Sequence, residues 1–196
     1  MPVLVDRAKT RDQIAELAAG IVAREGLHAL TMRRLATEAG TSRAIVSTYF
    51  ADMLDLVLAT FQWVSARQVQ RIEAAEAAGL GLEGCVEALL PLDHERLADW
   101  RVTIAFLGYA VADAELAAIE RHRIDGAVER FTRVLMKQGS SAKPTATDRR
   151  EAKRIVSALL GVAIDHSFDP SAHAQPRLSR VMVGRVLARD TDASRR

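Results

Sequence analysis

Residues 35–50 read LATEAGTSRAIVSTYF, and this stretch decides how the rest of the chain is interpreted. A glycine at position 40 suits the left-handed turn that ends one helix, and the hydroxyl of Thr41 or Ser42 can cap the next. A helix, a tight turn with glycine and a second short helix form a helix-turn-helix, whose second helix enters the DNA major groove. The stretch therefore predicts a DNA-binding motif near the N-terminus.

The helical period assigns the residues of the second short helix to two faces. Val46 and Phe50 lie four apart and share the inward face. The outward face carries small, polar and basic side chains, at Arg43, Ala44, Ser47 and Thr48. Small side chains let the backbone approach the groove, an arginine and two hydroxyls can bond base edges or phosphates, and Tyr49 offers a hydroxyl to a phosphate. The alternative is an ordinary helical hairpin whose serine and threonine face water.

Composition is typical of a globular protein, with 196 residues of which 49% are hydrophobic and 27% charged. The chain can bury one core or two small ones. Its 27 basic and 25 acidic residues leave a formal charge of +2, and residues 1–50, with seven basic and five acidic residues, hold all of this excess. Two charges alone are a weak indication of a polyanionic partner.

Several classes of site and location are excluded by the sequence. A single cysteine, Cys85, excludes an intrachain disulfide framework, and neither CxxC nor HxxxH spacing offers a metal site. The opening MPVLVDRAKTR lacks the apolar core of a signal peptide, and no later run is long enough to span a membrane. We expect a cytoplasmic protein with no cofactor, no metal and no membrane association.

Apolar residues recur every three or four positions along most of the chain, which predicts an all-α fold of about nine helices. A first helix occupies about 6–25, and Thr31 caps a second. A long fourth helix begins at Asp52 as its N-cap and runs past Ile72. Its inward face is expected to hold Leu54, Val57, Leu58, Phe61, Val64 and Ile72.

The later helices are predicted from stripes, breaks and caps. Trp100, Ile104, Leu107 and Val111 form one stripe, and a break near Asp113 separates it from the next helix. GSSAKPTAT at 139–147 is a loop by composition, and Asp148 with Glu151 makes a D-x-x-E capping box for the helix that follows. These signals predict a helix-turn-helix domain at 1–51, a second helical domain at 52–190, whose candidate roles in ligand binding and dimerisation rest on the residues described next, and a frayed tail at 191–196.

Aromatic residues in the predicted C-terminal domain indicate a ligand site. Such side chains line apolar pockets in which a few polar groups orient the guest, although they also fill ordinary cores. The candidate ligand contacts are Trp63, Trp100, Phe106, Tyr109, Phe131, His166 and Phe168. Their apolar character predicts an effector that is hydrophobic or amphipathic.

The last two helices carry apolar stripes with small residues that allow close helix approach. Packed against their copies, they would make a four-helix dimer interface, whereas the alternative is an intramolecular core. The candidate interface residues are Ile155, Ala158, Leu159, Val162, Leu178, Val181 and Met182.

Residues 12–56 resemble the N-terminal DNA-binding domain of the TetR family of bacterial transcriptional regulators. The resemblance rests on an alanine-rich first helix ending in EG, on TMRRLATEAG at 31–40 and on a third helix closing in YF. IVSTYF, WRVTIAFLGYAVADAEL and GVAIDHSFDP are similar to the BetI-like branch. The resemblance implies a homodimer that binds a palindromic operator and usually represses transcription until a small molecule enters the C-terminal domain.

The resemblance also implies which residues meet DNA, and it contains one departure. The implied contacts are Thr31, Arg33, Ser42, Arg43, Ala44, Ser47, Thr48 and Tyr49. The family commonly has a phosphate-binding lysine at the start of the fourth helix, where this chain has Met53. Loss of that contact in each head predicts a shallower salt slope, by about 0.9 per contact. Three basic residues of the N-terminal arm are candidates to compensate by reaching the DNA backbone: Arg7, Lys9 and Arg11.

Two other classes of protein are alternatives to a DNA-binding regulator, namely an enzyme and a small-molecule-binding protein. An enzyme needs a nucleophile, a base and an orienting group in reach, and DHER at 93–96 and DHSFD at 165–169 supply only histidines beside carboxylates. A helical small-molecule-binding protein without specific DNA binding is the remaining alternative, and Met53 is the feature that favours it.

Overall fold

The computed structural model describes residues 7–138, 143–168 and 176–188, and these form nine α-helices without a strand. The side chains of Arg7 and of residues 176–179 are outside the description. The predicted all-α fold is confirmed. The helices are α1 (Arg7–Glu25), α2 (Met32–Glu38), α3 (Arg43–Tyr49), α4 (Met53–Ala77), α5 (Gly81–Leu89), α6 (His94–Ala110), α7 (Ala114–Gln138), α8 (Ala146–Phe168) and α9 (Pro176–Leu187), with a single 3₁₀ turn at Leu27–Ala29.

The chain forms two compact units that are discontinuous in sequence. Of the described residues, the first unit contains 7–69 and 98–117, and the second contains 70–97, 118–138, 143–168 and 176–188. The predicted domain boundary after residue 51 falls in the loop between α3 and α4 and does not coincide with either unit's limits. That boundary describes function and stays a prediction.

Local capping chemistry fixes the helices at the N-terminal end of the first unit. The Thr31 hydroxyl oxygen accepts the Arg34 N–H at 3.0 Å, and the Ser42 oxygen accepts the Ile45 N–H at 3.3 Å. Gly40, with φ of 61°, makes the left-handed turn between α2 and α3 that favours glycine. The predicted helix, turn and helix are thus present.

The rest of the first unit packs α4 against α6. The Phe61 and Phe106 rings stack with centroids 3.8 Å apart. Two details of the predicted stripes are wrong, since Leu54 on α4 and Val111, just after α6, are exposed. Their places in the core are taken by Leu56 on α4 and by Val102, Thr103 and Phe106 on α6, because the packing partner covers a neighbouring strip of each helix surface.

In the second unit, the N-terminus of α8 corrects the predicted capping box. Thr145 is the N-cap: its hydroxyl oxygen accepts the Asp148 N–H at 3.1 Å, and the Asp148 carboxylate accepts the Thr145 N–H at 2.8 Å. The reciprocal pair is therefore Thr145 and Asp148, three residues upstream of the predicted one. Glu151 instead accepts hydrogen bonds from Arg154 within the helix.

Within the described ranges, no single helix is both long and apolar enough to cross a membrane. Helices α3 and α4 together have the length and apolar composition of a membrane span, but they are bent by 67° relative to each other. No group of three or more histidine, cysteine, aspartate or glutamate side chains is arranged to hold a metal ion in that part of the chain.

Candidate nucleic-acid interface

Helix α3 presents one apolar face to the protein and one polar face to solvent. Val46 and Phe50 are buried. Four residues of the opposite face are exposed, namely Arg43, Ala44, Ser47 and Thr48, while Tyr49 is half-buried. The inward and outward faces of α3 in the structure are the ones that the sequence predicts. Burial of two residues four positions apart is enough to fix which face of a two-turn helix points inward.

The arginines near this face divide into paired and unpaired groups. Arg34 donates to Glu25 at 2.8 Å and to Glu38 at 2.6 Å, and Arg24 also donates to Glu38. By contrast, Arg33 and Arg43 are exposed, and across the described ranges neither guanidinium has an ion-pair partner. An unpaired exposed guanidinium can bind a phosphate or a guanine without first breaking an internal contact.

The ion pairs of Arg34 also shift the pKa values of the groups that take part in them. The hydrogen bonds that Arg34 donates to Glu25 and then to Glu38 raise the pKa of Arg34 above its ordinary value. The hydrogen bond from Arg34 is the largest cause of the lowered pKa of Glu38. This network ties α1 to α2 and leaves Arg34 less available to DNA than its neighbour Arg33.

The hydroxyl groups differ in what they can still donate. As N-caps, Thr31 and Ser42 accept backbone N–H groups, so each hydroxyl hydrogen can donate to a phosphate. The Thr48 hydroxyl donates to the Ile45 carbonyl oxygen at 2.7 Å within the helix. In this rotamer Thr48 offers an acceptor and a methyl group, which suits a base edge better than a phosphate.

Arg11 is expected from the sequence to reach the DNA backbone from the N-terminal arm, but in the structure its side chain binds other residues of the protein. Its guanidinium donates to both carboxylate oxygens of Asp55, one at 3.2 Å, and to the carbonyl oxygen of Tyr49, and it lies 4.4 Å from the centre of the Phe50 ring. The hydrogen bond from Arg11 is the largest cause of the lowered pKa of Asp55. Arg11 is therefore committed within the protein. Lys9 is exposed, and the side chain of Arg7 is outside the description.

Ile45 is a residue of this face that the sequence analysis did not single out. Its side chain is 49% exposed in the middle of α3, between Ala44 and the buried Val46. The sequence pattern alone makes no assignment for Ile45, and the burial of Val46 and Phe50 shows that Ile45 points outward. Exposed aliphatic groups on such a helix can contact the methyl group of thymine.

The seven candidate ligand residues are divided between the two compact units. Trp63, Trp100, Phe106 and Tyr109 belong to the first unit, and Phe131, His166 and Phe168 belong to the second. Trp100, Phe106, Phe131 and His166 are buried, whereas Tyr109 and Phe168 are exposed. Trp63 is half-buried, with the Arg67 guanidinium 4.5 Å from its ring centre.

A cavity of about 500 Å³ lies in the second unit, at the end of α4, along α5 and at the start of α6. None of the seven candidates lines it. Its walls combine small apolar residues with charged ones, including Arg71, Glu95 and Arg96. Arg71 pairs with Glu95 at 3.0 Å and Arg96 pairs with Asp93 at 2.8 Å, so these arginines already have partners within the wall.

The candidate dimer residues also fall into two groups. Ile155, Leu159, Val162 and Met182 are buried within one chain, where they form the core between α8 and α9 and their neighbours. Ala158 is half-buried, and Val181 is 60% exposed. The side chain of Leu178 lies outside the described residues. The outer face of α8 also exposes Gly161 and Ile164.

Family models match both halves of the chain. Residues 14–60 match the model described as bacterial regulatory proteins, tetR family. Residues 81–189, more than half of the chain, match the model described as BetI-type transcriptional repressor, C-terminal. The chain belongs to the TetR family of bacterial regulators. The predicted BetI-like branch is confirmed with it.

Relatives of known sequence or structure agree with this TetR-family assignment. The chain is 26% identical over 190 residues to the HTH-type transcriptional regulator PksA of Bacillus subtilis, covering 95% of this chain and 92% of PksA. A transcriptional regulator of Rhodococcus sp. Rha1 superposes with a TM-score of 0.78 at 21% identity, covering 90% of this chain and 94% of that one. A regulator of Saccharomonospora viridis, solved in complex with choline, has a TM-score of 0.68 at 19% identity, with 91% and 94% covered.

The family assignment decides the class of activity. TetR-family proteins are transcriptional regulators that bind DNA through the N-terminal helix-turn-helix and are not enzymes. The histidines beside carboxylates at 93–96 and 165–169 therefore need no catalytic role. The regulator predicted from the stretch at 35–50 is confirmed.

Proposed function

We propose that this TetR-family regulator is a ligand-responsive repressor that binds a palindromic operator as a homodimer. The observation that supports this most directly is the outward face of α3, where Arg43, Ser47 and Thr48 are exposed and the Arg43 guanidinium has no ion-pair partner among the described residues. A two-fold dimer presents two such helices to half-sites about 34–36 Å apart, one turn of DNA. Such a regulator works in the cytoplasm, where chromosomal DNA is found.

Within each half-site, the roles of the proposed contacts follow from their surroundings. Arg33 and the capping hydroxyls of Thr31 and Ser42 bind phosphates and set the register of the helix. Arg43 and Ser47 bind base edges or phosphates, Ala44 allows close approach, Thr48 presents an acceptor and a methyl group, and Tyr49 gives its hydroxyl to a phosphate. Met53 offers no charge at the start of α4.

The effector is proposed to be an apolar or amphipathic small molecule that binds the C-terminal domain. The buried aromatic residues there support this, and the choline complex of the Saccharomonospora viridis regulator is an example of a protein with this fold that holds a small organic molecule. Release follows if the ligand binds better to a dimer whose two heads no longer match both half-sites.

The test is fluorescence anisotropy with a labelled fragment of the DNA upstream of the gene, titrated with salt and with competitor DNA. Wild-type protein should bind this fragment more tightly than random DNA and protect a two-fold symmetric site. Arg43→Gln should reduce the slope of log affinity against log salt by about 1.8 per dimer if Arg43 binds a phosphate, since each of the two heads then loses one contact made by a cation.

Arg34→Gln is the matched control, because Arg34 is a nearby arginine already paired with two carboxylates. Its salt slope should equal that of the wild type. Equal slopes for all three proteins would show that Arg43 does not contact DNA. The opposite result is that the wild type binds every candidate upstream fragment no more tightly than random DNA, with or without added ligands. That result would favour the alternative of a small-molecule-binding protein without specific DNA binding, which Met53 also favours.

A further inference from the structure

Arg11 connects three helices of the first unit, namely α1, α3 and α4. It lies on α1 and donates from Nη1 to the carbonyl oxygen of Tyr49, the last residue of α3. Nη1 also donates to Asp55 at 3.2 Å, and Nη2 donates to the second oxygen of the same carboxylate in the first turn of α4. The flat face of the guanidinium lies over the Phe50 ring.

Helix α3 needs anchors of this kind because it is short. It has seven residues, well below the length of about 12–15 residues at which an isolated helix becomes marginally stable in water. Its final carbonyl groups have no partner within the helix, and a cation at that end also interacts favourably with the helix dipole. Arg11 supplies both a donor and a positive charge at the C-terminus of α3.

Asp55 holds the connection between α3 and α4 from the other side. Its Oδ2 accepts the Ala51 N–H at 3.0 Å while the carboxylate receives Arg11. The loop that follows Phe50 is therefore tied to the first turn of α4, and the first turn of α4 is tied to α1. The three elements share one hydrogen-bonded group.

We infer that Arg11 and Asp55 form a latch that positions α3 for the major groove without touching DNA themselves. Arg11 is a positioning residue: its donors and its aromatic face are used inside the protein, so it adds little charge for a phosphate. The inference rests on the proposed function, because its main readout is operator affinity.

The sign of the effect at Asp55 separates the latch from simple electrostatics. Asp55→Asn removes a negative charge near the DNA-binding face, so electrostatics alone predicts tighter binding. Loss of the latch predicts weaker binding, because the charge-assisted bonds that hold Tyr49 and Asp55 together are replaced by weaker ones. The two explanations predict opposite changes in the same measurement.

The experiment compares Arg11→Gln, Arg11→Lys, Asp55→Asn and the Arg11→Gln/Asp55→Asn double variant with the wild type, all checked for native circular dichroism. Arg11→Gln and Asp55→Asn should each lower operator affinity roughly tenfold, and the double variant should lose little more than either alone, as expected for contacting residues. The salt slope should stay at the wild-type value in all of them. Arg11→Lys should fall in between, since it keeps the charge but not the forked geometry.

Amide hydrogen exchange in residues 43–50, measured without DNA, gives a second readout that is independent of any operator. Exchange should be faster in Arg11→Gln and Asp55→Asn than in the wild type. If the wild type binds no operator but amide exchange is faster in the two variants than in the wild type, the proposed function fails and the latch stands. The latch is overturned by unchanged exchange, by tighter operator binding of Asp55→Asn, or by a slope reduced by about 1.8 per dimer in Arg11→Gln, which would make Arg11 a phosphate contact in both heads.

Discussion

At the scale of single residues, the DNA-binding face is decided by which side chains remain uncommitted. Arg33 and Arg34 are adjacent in sequence, yet only Arg34 is engaged by Glu25 and Glu38. Ile45 shows the same point for an apolar residue, since its neighbour Val46 is buried and it is not. Residue type narrows the candidates, and the environment of each side chain selects among them.

Ile45 should read a thymine methyl group in the operator. Replacing that thymine with deoxyuracil removes one methyl group, so wild-type affinity should fall roughly fourfold at that position, from about 0.8 kcal/mol per buried methyl-sized group. Deoxyuracil scanning of the footprint by anisotropy, with substitutions outside the footprint as controls, would locate it. Ile45→Ala should lose this sensitivity, and an equal uracil penalty in that variant would assign the methyl contact to another residue.

At the scale of elements, caps fix where helices begin. The caps at Thr31, Ser42 and Asp52 lie where the sequence predicts them, and Asp52 accepts the Asp55 N–H at 2.8 Å. At α8 the D-x-x-E pattern competes with a T-x-x-D pattern three residues earlier, and the earlier pair forms the cap. Both patterns satisfy the same rule, so the local sequence leaves the choice open.

Substitutions at the α8 cap should distinguish the two patterns. Thr145→Ala should lower the free energy of unfolding by about 1 kcal/mol in urea denaturation at pH 7, as for other N-cap threonines. Glu151→Gln, the control, should leave the cap intact because Glu151 pairs with Arg154 within the helix while Thr145 and Asp148 form the cap. A larger loss of unfolding free energy in Glu151→Gln than in Thr145→Ala would show that the D-x-x-E pair is the cap.

The same cap should respond to acid. Hydrogen bonds from the Thr145 hydroxyl and N–H lower the pKa of Asp148 in the folded protein. A lowered folded pKa means that the contribution of Asp148 is fully present above the unfolded pKa, about 3.9, and is lost as pH falls through the folded value. The difference in unfolding free energy between wild type and Asp148→Asn should therefore shrink below about pH 4. A constant difference down to pH 2 would contradict this role.

At the scale of the whole molecule, TetR-family regulators are typically dimeric, and α8 and α9 offer a surface for a second copy. Four of the seven predicted interface residues are already used inside one chain, including Leu159. The exposed apolar residues of the outer face include Ile164, Phe168 and Val181, with Gly161 allowing close approach. An interface on this face would bury side chains that one chain leaves in water.

Charge substitutions should separate the interface from the core. Val181→Glu and Ile164→Glu should give folded monomers by sedimentation velocity with native circular dichroism. Leu159→Glu should instead unfold the protein, because it buries an unpaired charge in the core. Stable dimers of both Val181→Glu and Ile164→Glu would move the interface to another face.

The sequence by itself determined the helices, most of their caps and the polar face of α3, since these depend on residues within about four positions of one another. It also determined the family, because the motif at 31–50 is contiguous. Only the tertiary structure decided that Arg11 pairs with Asp55, a contact between residues 44 positions apart. It likewise decided that Val111 is exposed and Leu159 buried. The reason is that an amphipathic stripe fixes which residues share a helix face, whereas the packing partner fixes how much of that face is covered.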